Sequence, residues 1–247
     1  MRKYFSWKRI LLYILVVLIA LVVGFVAWAN NALQPMPEAL AALESDEQVQ
    51  VSQTNGWYVF TPTATKPSTG LIFYPGGKVD PRAYAPQMHA IADQGYLTVI
   101  TPMPLYLAIF GINKADEVVK SFPDIQHWGI AGHSLGGSMA AQYIAGSTNV
   151  QGLAFWASYP AVDLSKAAIK AVSIYGTSDG VAKADNVLNG AKLLPANTPF
   201  IAIDGGDHSG FGWYGMQPGD NPATISREEQ NAQTVKATVD MLASLSQ

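Results

Sequence analysis

Gly132-His133-Ser134-Leu135-Gly136 places a hydroxyl between two positions that lack side chains. A serine at the tip of a sharp strand-to-helix turn needs small residues two places before and after it, and the turn lifts its Oγ clear of the sheet. Such a serine attacks acyl carbons once a base takes its proton. The N–H that follows, on Leu135, then points at the carbonyl oxygen under attack. The bare pattern also fits an ordinary tight turn. Its surroundings favour the nucleophile: 128–132 reads as a strand, and Gly136-Gly137-Ser138-Met139-Ala140-Ala141 opens a helix of small residues. Only four histidines are present to act as the base. His133 adjoins Ser134 inside the turn, His127 precedes a strand and His89 falls on a helix. His208 lies in a glycine-rich loop, Gly205-Gly206-Asp207-His208-Ser209-Gly210, after the last strand. From there its Nε2 can swing within hydrogen-bond reach of a serine at the sheet edge.

The elements that must hold these residues follow from the apolar runs. Strands are expected at 71–74, 97–101, 128–132, 152–157, 171–175 and 200–203, with helices at 82–94, 113–121, 135–146 and 183–194. Runs apolar on both faces and separated by helices indicate a mostly parallel sheet covered on two sides, an α/β fold. Asn55-Gly56, between 49–52 and 57–60, predicts a hairpin at one edge. Ser226 and Glu229 form a capping box, after which Val235, Val239, Leu242 and Leu245 line one face of a last helix, closing the domain at Gln247. The stretch 158–170 is too short for a lid, which leaves the site open.

These motifs resemble the α/β-hydrolase superfamily, in particular its small lidless carboxylesterases and dienelactone hydrolases, over residues 48–247. The resemblance implies a Ser…Asp…His order. Ile174-Tyr175-Gly176-Thr177-Ser178-Asp179-Gly180 is similar to the family's acid turn, which makes Asp179 the partner of His208, with Asp163 and then Asp185 as alternatives. Asp179 would accept the imidazole Nδ1–H and stabilise the imidazolium. The loop holding His208 resembles the family's G-x-x-H. Tyr74-Pro75-Gly76-Gly77-Lys78 stands where relatives carry their second oxyanion donor, implying the N–H of Gly77, or of Lys78, beside that of Leu135; Pro75 replaces the His common there. Phe211 and Trp213, with Tyr106, Leu107 and Phe110 opposite, form either a wall of the substrate pocket or an aromatic clamp.

Ahead of this domain, positions 10–28 read ILLYILVVLIALVVGFVAW without a charge. As a helix that run spans roughly 28 Å, close to a bilayer's hydrocarbon thickness. Trp7 and Trp28 bracket it, and Arg2, Lys3, Lys8 and Arg9 keep its start cytoplasmic. The expected order is a basic tail (1–9), a transmembrane signal-anchor (10–29), a linker (30–47) and an extracytoplasmic catalytic domain (48–247). Ala27-Trp28-Ala29 also fits a signal-peptidase site, and cleavage there would release the domain.

Those four cations precede the first acidic residue, leaving 11 of the 15 basic residues against 18 acidic ones, about −7, for the rest. A domain that acidic is no candidate for nucleic acid. The absence of cysteine removes thiolate chemistry and disulfides; the histidines and acids lack metal-ligand spacing, and no cofactor motif occurs. The expected function is hydrolysis of a small-molecule carboxylic ester through an acyl-enzyme. A lipase or peptidase of the same fold and a non-catalytic anchored binding domain are the rivals. Oligomeric state leaves no trace in the sequence.

Overall fold

Asn55 and Gly56 both take positive φ, 52° and 79°, and turn β1 (Val49–Thr54) into β2 (Trp57–Pro62) as an antiparallel hairpin. Two consecutive left-handed residues match the twist of the strands they join. The computed structural model describes residues 7–246; Arg2, Lys3 and Gln247 lie outside them. After the hairpin come β3 (Thr69–Tyr74), β4 (Leu97–Ile100), β5 (His127–His133), β6 (Gly152–Trp156), β7 (Lys170–Gly176) and β8 (Phe200–Ile203). The sheet has eight strands in the order β1-β2-β4-β3-β5-β6-β7-β8. From β4 to β8 it is parallel; β2 joins it antiparallel through Tyr58 opposite Ile100.

Side-chain alternation divides the core. Leu71 and Phe73 face one side, under α3 (Ala85–Asp93) and α7 (Arg227–Ala243); Ile72 and Tyr74 face the other, under α4 (Lys114–Ser121) and α5 (Leu135–Gly146). All six residues of β3 are buried, as a strand covered on both faces requires. Two shorter helices complete the set among the described residues: α2 (Pro37–Ala41) ahead of the sheet, and α6 (Ala184–Asn189) between β7 and β8 in the chain. The predicted helix at 82–94 starts instead as a 3₁₀ turn, Pro81–Tyr84, capped by the Asp80 carboxylate on Arg82 N–H. That at 183–194 finishes as another, Gly190–Leu193. Residues 157–169 contain neither helix nor strand, so no lid covers the sheet edge there.

Strand order reverses between β3 and β5: from β3 the chain moves to β4 on one side, then crosses back to β5 on the other. The C-terminal ends of β3 and β5 therefore bound a crevice, the place where open α/β sheets bind ligands. Tyr74 pairs with Gly132 at that edge, setting Gly77 and Ser134 just beyond it.

α1 (Trp7–Asn30) is long and apolar enough to cross a membrane, and its apolar stretch lies outside the protein core. The stretch 30–47 departs from the expected linker. Leu33 pairs with Val79, its N–H donating to the Lys78 carbonyl at 2.8 Å and its carbonyl accepting from Asp80 N–H at 2.9 Å. Met36 N–H donates to the Trp213 carbonyl at 2.7 Å, and Pro37 starts a helix whose Ala39 is wholly buried. The prolines that suggested a tether instead shape a docked segment: Pro at the first helical position suits α2 because no N–H is wanted there.

Candidate active site

Ser134 holds φ 51° and ψ −121°, at the junction of β5 and α5. A non-glycine residue in this region stores roughly 1–3 kcal/mol of strain that the surroundings must sustain. They do so by contact. A Cβ at Gly132 would lie 2.4 Å from the Gly136 backbone, and one at Gly136 only 2.1 Å from the Tyr74 carbonyl. Ser134 N–H donates to the Trp156 carbonyl at 3.0 Å, and Ser158 Oγ donates to the Ser134 carbonyl at 2.6 Å. The elbow is pinned on both sides by β6 and the residues after it.

Asp179 and His208 meet after β7 and β8. His208 Nδ1 donates to Asp179 Oδ2 at 2.8 Å, with both side chains wholly buried. Asp179 Oδ1 meanwhile accepts from the N–H groups of Val181 and Ala182 at 2.8 and 2.6 Å. In a neutral imidazole, a proton on Nδ1 leaves Nε2 as the acceptor. That atom is buried and makes no hydrogen bond, including with Ser134 Oγ. The His208 ring lies 4.5 Å, centroid to centroid, from that of His133, the residue preceding Ser134. Asp163 is exposed and accepts from Ser165 N–H in a turn, and Asp185 sits on the first turn of α6, so neither meets His208. His89 pairs with Asp46 at 3.4 Å on the surface, and His127 starts β5.

On the β3 side the backbone N–H groups are divided by their partners. Gly76 N–H donates to the Tyr84 hydroxyl at 3.1 Å, and Lys78 N–H donates to the Tyr106 carbonyl at 2.8 Å. Of the two donors in question, Lys78 is thus occupied. Gly77 remains, and a Cβ placed on it would lie 3.1 Å from Leu135 Cδ2 and 3.7 Å from Leu107 Cδ2. Leu135 is the first residue of α5, where N–H groups have no intrahelical partner and the helix dipole favours negative charge. The geometry brings Gly77 and Leu135 together across the crevice.

The aromatic residues expected at a pocket wall do other work. Phe211 is wholly buried and stacks on His133 at 5.9 Å and 19°, so it packs the elbow rather than facing a substrate. Trp213 turns into the groove between α3 and α7, alongside Pro86 and Asn231, with Arg227 5.9 Å from its ring centre. The clamp reading holds for both. Tyr106 is half-buried, with φ 54°; its phenol is close enough to Arg82 and Tyr58 to interact electrostatically with both, and its carbonyl serves Lys78.

Three supports carry no sequence signal. The Tyr84 hydroxyl accepts from Gly76 N–H and shares a hydrogen bond of 2.8 Å with His133 Nδ1. Burial holds the His133 pKa well below the usual value, the nearby His208 ring adding to the effect while the His208 carbonyl opposes it. Asp220 gathers both loops: Oδ1 accepts from Gly180 and His208 N–H at 3.0 and 3.3 Å, and Oδ2 from Ser209 N–H and Oγ at 2.7 and 2.6 Å. Burial alone would raise its pKa, but the Ser209 hydroxyl and these N–H groups outweigh it and hold the carboxyl below the ordinary value. Gln230, from α7, accepts Asp207 N–H at 3.1 Å and donates to the Asp207 carbonyl at 2.7 Å. Among the described residues, no three His, Asp or Glu side chains gather as metal ligands.

A family model described as "Alpha/beta hydrolase family" matches residues 70–232. No curated protein sequence matches the chain. Among solved structures, Thermogutta terrifontis esterase 2 with propionate bound superposes with a TM-score of 0.60 at 13% identity, over 80% of this chain and 94% of that one. A protein described as a predicted CIB-like hydrolase from Thermoplasma acidophilum gives 0.60 at 16% identity, over 80% and 98%. TT1662 from Thermus thermophilus gives 0.58 at 12% identity, again over 80% and 98%. At such identities the likeness is one of fold. The family match covers more than half of the chain and spans the elbow, the crevice and both loops behind it: this protein belongs to the alpha/beta hydrolase family.

Proposed function

We propose that the protein is a membrane-anchored serine hydrolase that cleaves carboxylic esters through Ser134, His208 and Asp179. The observation that carries this reading is the buried Asp179–His208 hydrogen bond, which engages Nδ1 and leaves the imidazole Nε2 without a partner behind the elbow. His208 takes the Ser134 proton as Oγ bonds to the ester carbonyl carbon, and the carbonyl oxygen becomes an oxyanion held by the N–H groups of Gly77 and Leu135. Asp179 stabilises the imidazolium and keeps its tautomer. The C–O bond to the alcohol then breaks, with His208 returning the proton to the leaving alkoxide. Water, deprotonated by His208, attacks the acyl-enzyme and releases the carboxylic acid, restoring Ser134.

Ester specificity is supported by the fold's likeness to an esterase solved with propionate and with butyrate bound. Retention of α1 as an anchor is supported by its junction with the domain. Residues 27–29 are helical and Ala29 is wholly buried, so the small-x-small site is not presented as an extended, accessible strand. The full-length protein should react with a fluorophosphonate probe and hydrolyse p-nitrophenyl butyrate. Ser134→Ala should lose the labelling and at least about 10⁴-fold in kcat, with an unchanged melting curve. Turnover that survives in this variant dismisses the nucleophile, and a wild type that the probe does not label favours a binding domain instead.

A further inference from the structure

The end of α1 is bound to the two loops that frame Ser134. Phe25 meets Phe110 edge-on with ring centroids 6.3 Å apart, and the Lys78 ammonium stands 4.2 Å from the centre of the Trp28 ring. Lys78 adjoins Gly77, and Phe110 ends the short 3₁₀ turn that follows Tyr106 and Leu107. The helix from Leu11 to Val23 is exposed along its length and so stands out from the domain. With Trp28 at headgroup level, as its place at the end of the apolar run dictates, Phe25 lies ~4.5 Å deeper along the axis. Phe110, edge-on to Phe25, is held near that level. Ile109 and Phe110 are 46% and 50% exposed, an apolar pair at a loop tip. Interfacial segments bury their apolar side about 5–10 Å into the headgroup and acyl boundary, and an exposed apolar pair held beside Phe25 is placed to do the same. Lys78 would stand among the lipid phosphates, where a cation is favoured. Leu107, two residues before Ile109, comes within van der Waals range of the Gly77 Cβ position. The loop therefore runs from the depth of Phe25 to the oxyanion donors.

We propose that the loop 104–110 is immersed in the bilayer crossed by α1, and that the ester brought to Ser134 is a bilayer-resident acyl ester that reaches Gly77 past Leu107. This rests on the anchored-esterase reading and narrows its substrate class.

The chain has no cysteine, so an introduced one can be labelled alone. Full-length Ile109→Cys carrying an NBD fluorophore, in phosphatidylcholine–phosphatidylglycerol vesicles, is expected to be quenched by doxyl-labelled lipid at least about twofold more than the same dye on Ala64→Cys. Ala64 is exposed at the opposite edge of the sheet. Ile109→Asp should keep p-nitrophenyl acetate hydrolysis in water within about twofold. Hydrolysis of 4-methylumbelliferyl oleate embedded in the same vesicles should fall at least about tenfold, because a carboxylate is disfavoured at that depth. Equal quenching at 109 and 64, or equal losses on the two esters, overturns the proposal. A wild type that hydrolyses neither ester overturns the esterase reading and the substrate class with it, while the quenching still decides immersion.

Discussion

Tyr84 and His133 show how one phenol can tie two loops together. The hydroxyl accepts from Gly76 on the loop after β3 and is hydrogen-bonded to His133 beside Ser134. The elbow motif made Ser134 legible and set His133 apart from the base, but Tyr84 lies 49 residues before His133, and no spacing rule links the two. The same holds for Asp220, which sits among Gly219, Asn221 and Pro222 and reads as a turn residue. The pairing has a measurable consequence. Because burial depresses the folded-state pKa of His133, the unfolded chain binds the extra proton first as pH falls below about 6.5. Stability is therefore full above that pH and declines as pH drops from there towards the folded-state value, at up to about 1.4 kcal/mol per pH unit for one proton. Urea titrations between pH 8 and 5 should show this decline in the wild type and a shallower one in His133→Gln. Identical slopes would remove His133 as the source.

At the scale of elements, apolar runs placed all six later strands: β3 to β7 are buried along almost their whole length and have no polar face to disguise them, while β8 is an apolar run left half-exposed at the end of the sheet. The hairpin followed from Asn55-Gly56. α7 is the instructive exception. Its start was legible in Ser226, whose Oγ accepts Glu229 N–H at 3.1 Å. Its buried face was legible only in part: Leu242 is wholly buried as expected, and Leu245 packs partly buried against the same core. Val235 and Val239 are only half-buried, while Gln230, Thr234, Thr238 and Met241 form the stripe against the sheet. Thr234 and Thr238 satisfy their hydroxyls on carbonyls one turn back, so polar side chains enter the core without an orphaned donor. Hydropathy periodicity cannot register such a face. Thr238 also accepts Trp156 Nε1–H at 3.0 Å, and Trp156 supplies the carbonyl that holds Ser134 N–H. Thr238→Val preserves the shape and strands that indole donor. It should cost about 1–3 kcal/mol in chemical denaturation while kcat for p-nitrophenyl butyrate stays within about twofold. No loss of stability would mean that the indole finds another partner.

For the whole molecule, the position of the domain relative to α1 was the part the sequence concealed. Pro35 and Pro37 look like punctuation in a tether, whereas the chain from Ala29 to Ala41 is bonded to Lys78, Asp80 and Trp213. Backbone pairing to a distant loop depends on no side-chain pattern, which is why composition misread it. A chain begun at Asn30 keeps the Leu33–Val79 pairing, and one begun at Gln48 loses it. The shorter protein should show kcat/KM for p-nitrophenyl butyrate about ten- to a hundredfold lower, because the loop carrying Gly77 loses its brace and small displacements of an oxyanion donor are costly. Equal activity of the two would show that the brace is dispensable.

If the protein is the anchored hydrolase proposed above, the docking of Leu33 on Val79 has a consequence for how it would meet its substrate. A hydrolase on a loose leash sweeps a volume above the membrane and meets solutes in three dimensions. One whose leash is stitched into its own catalytic loop keeps a constant height and tilt. Its encounters would then become those of lateral diffusion, governed by the surface density of a substrate in the bilayer rather than by a concentration in solution.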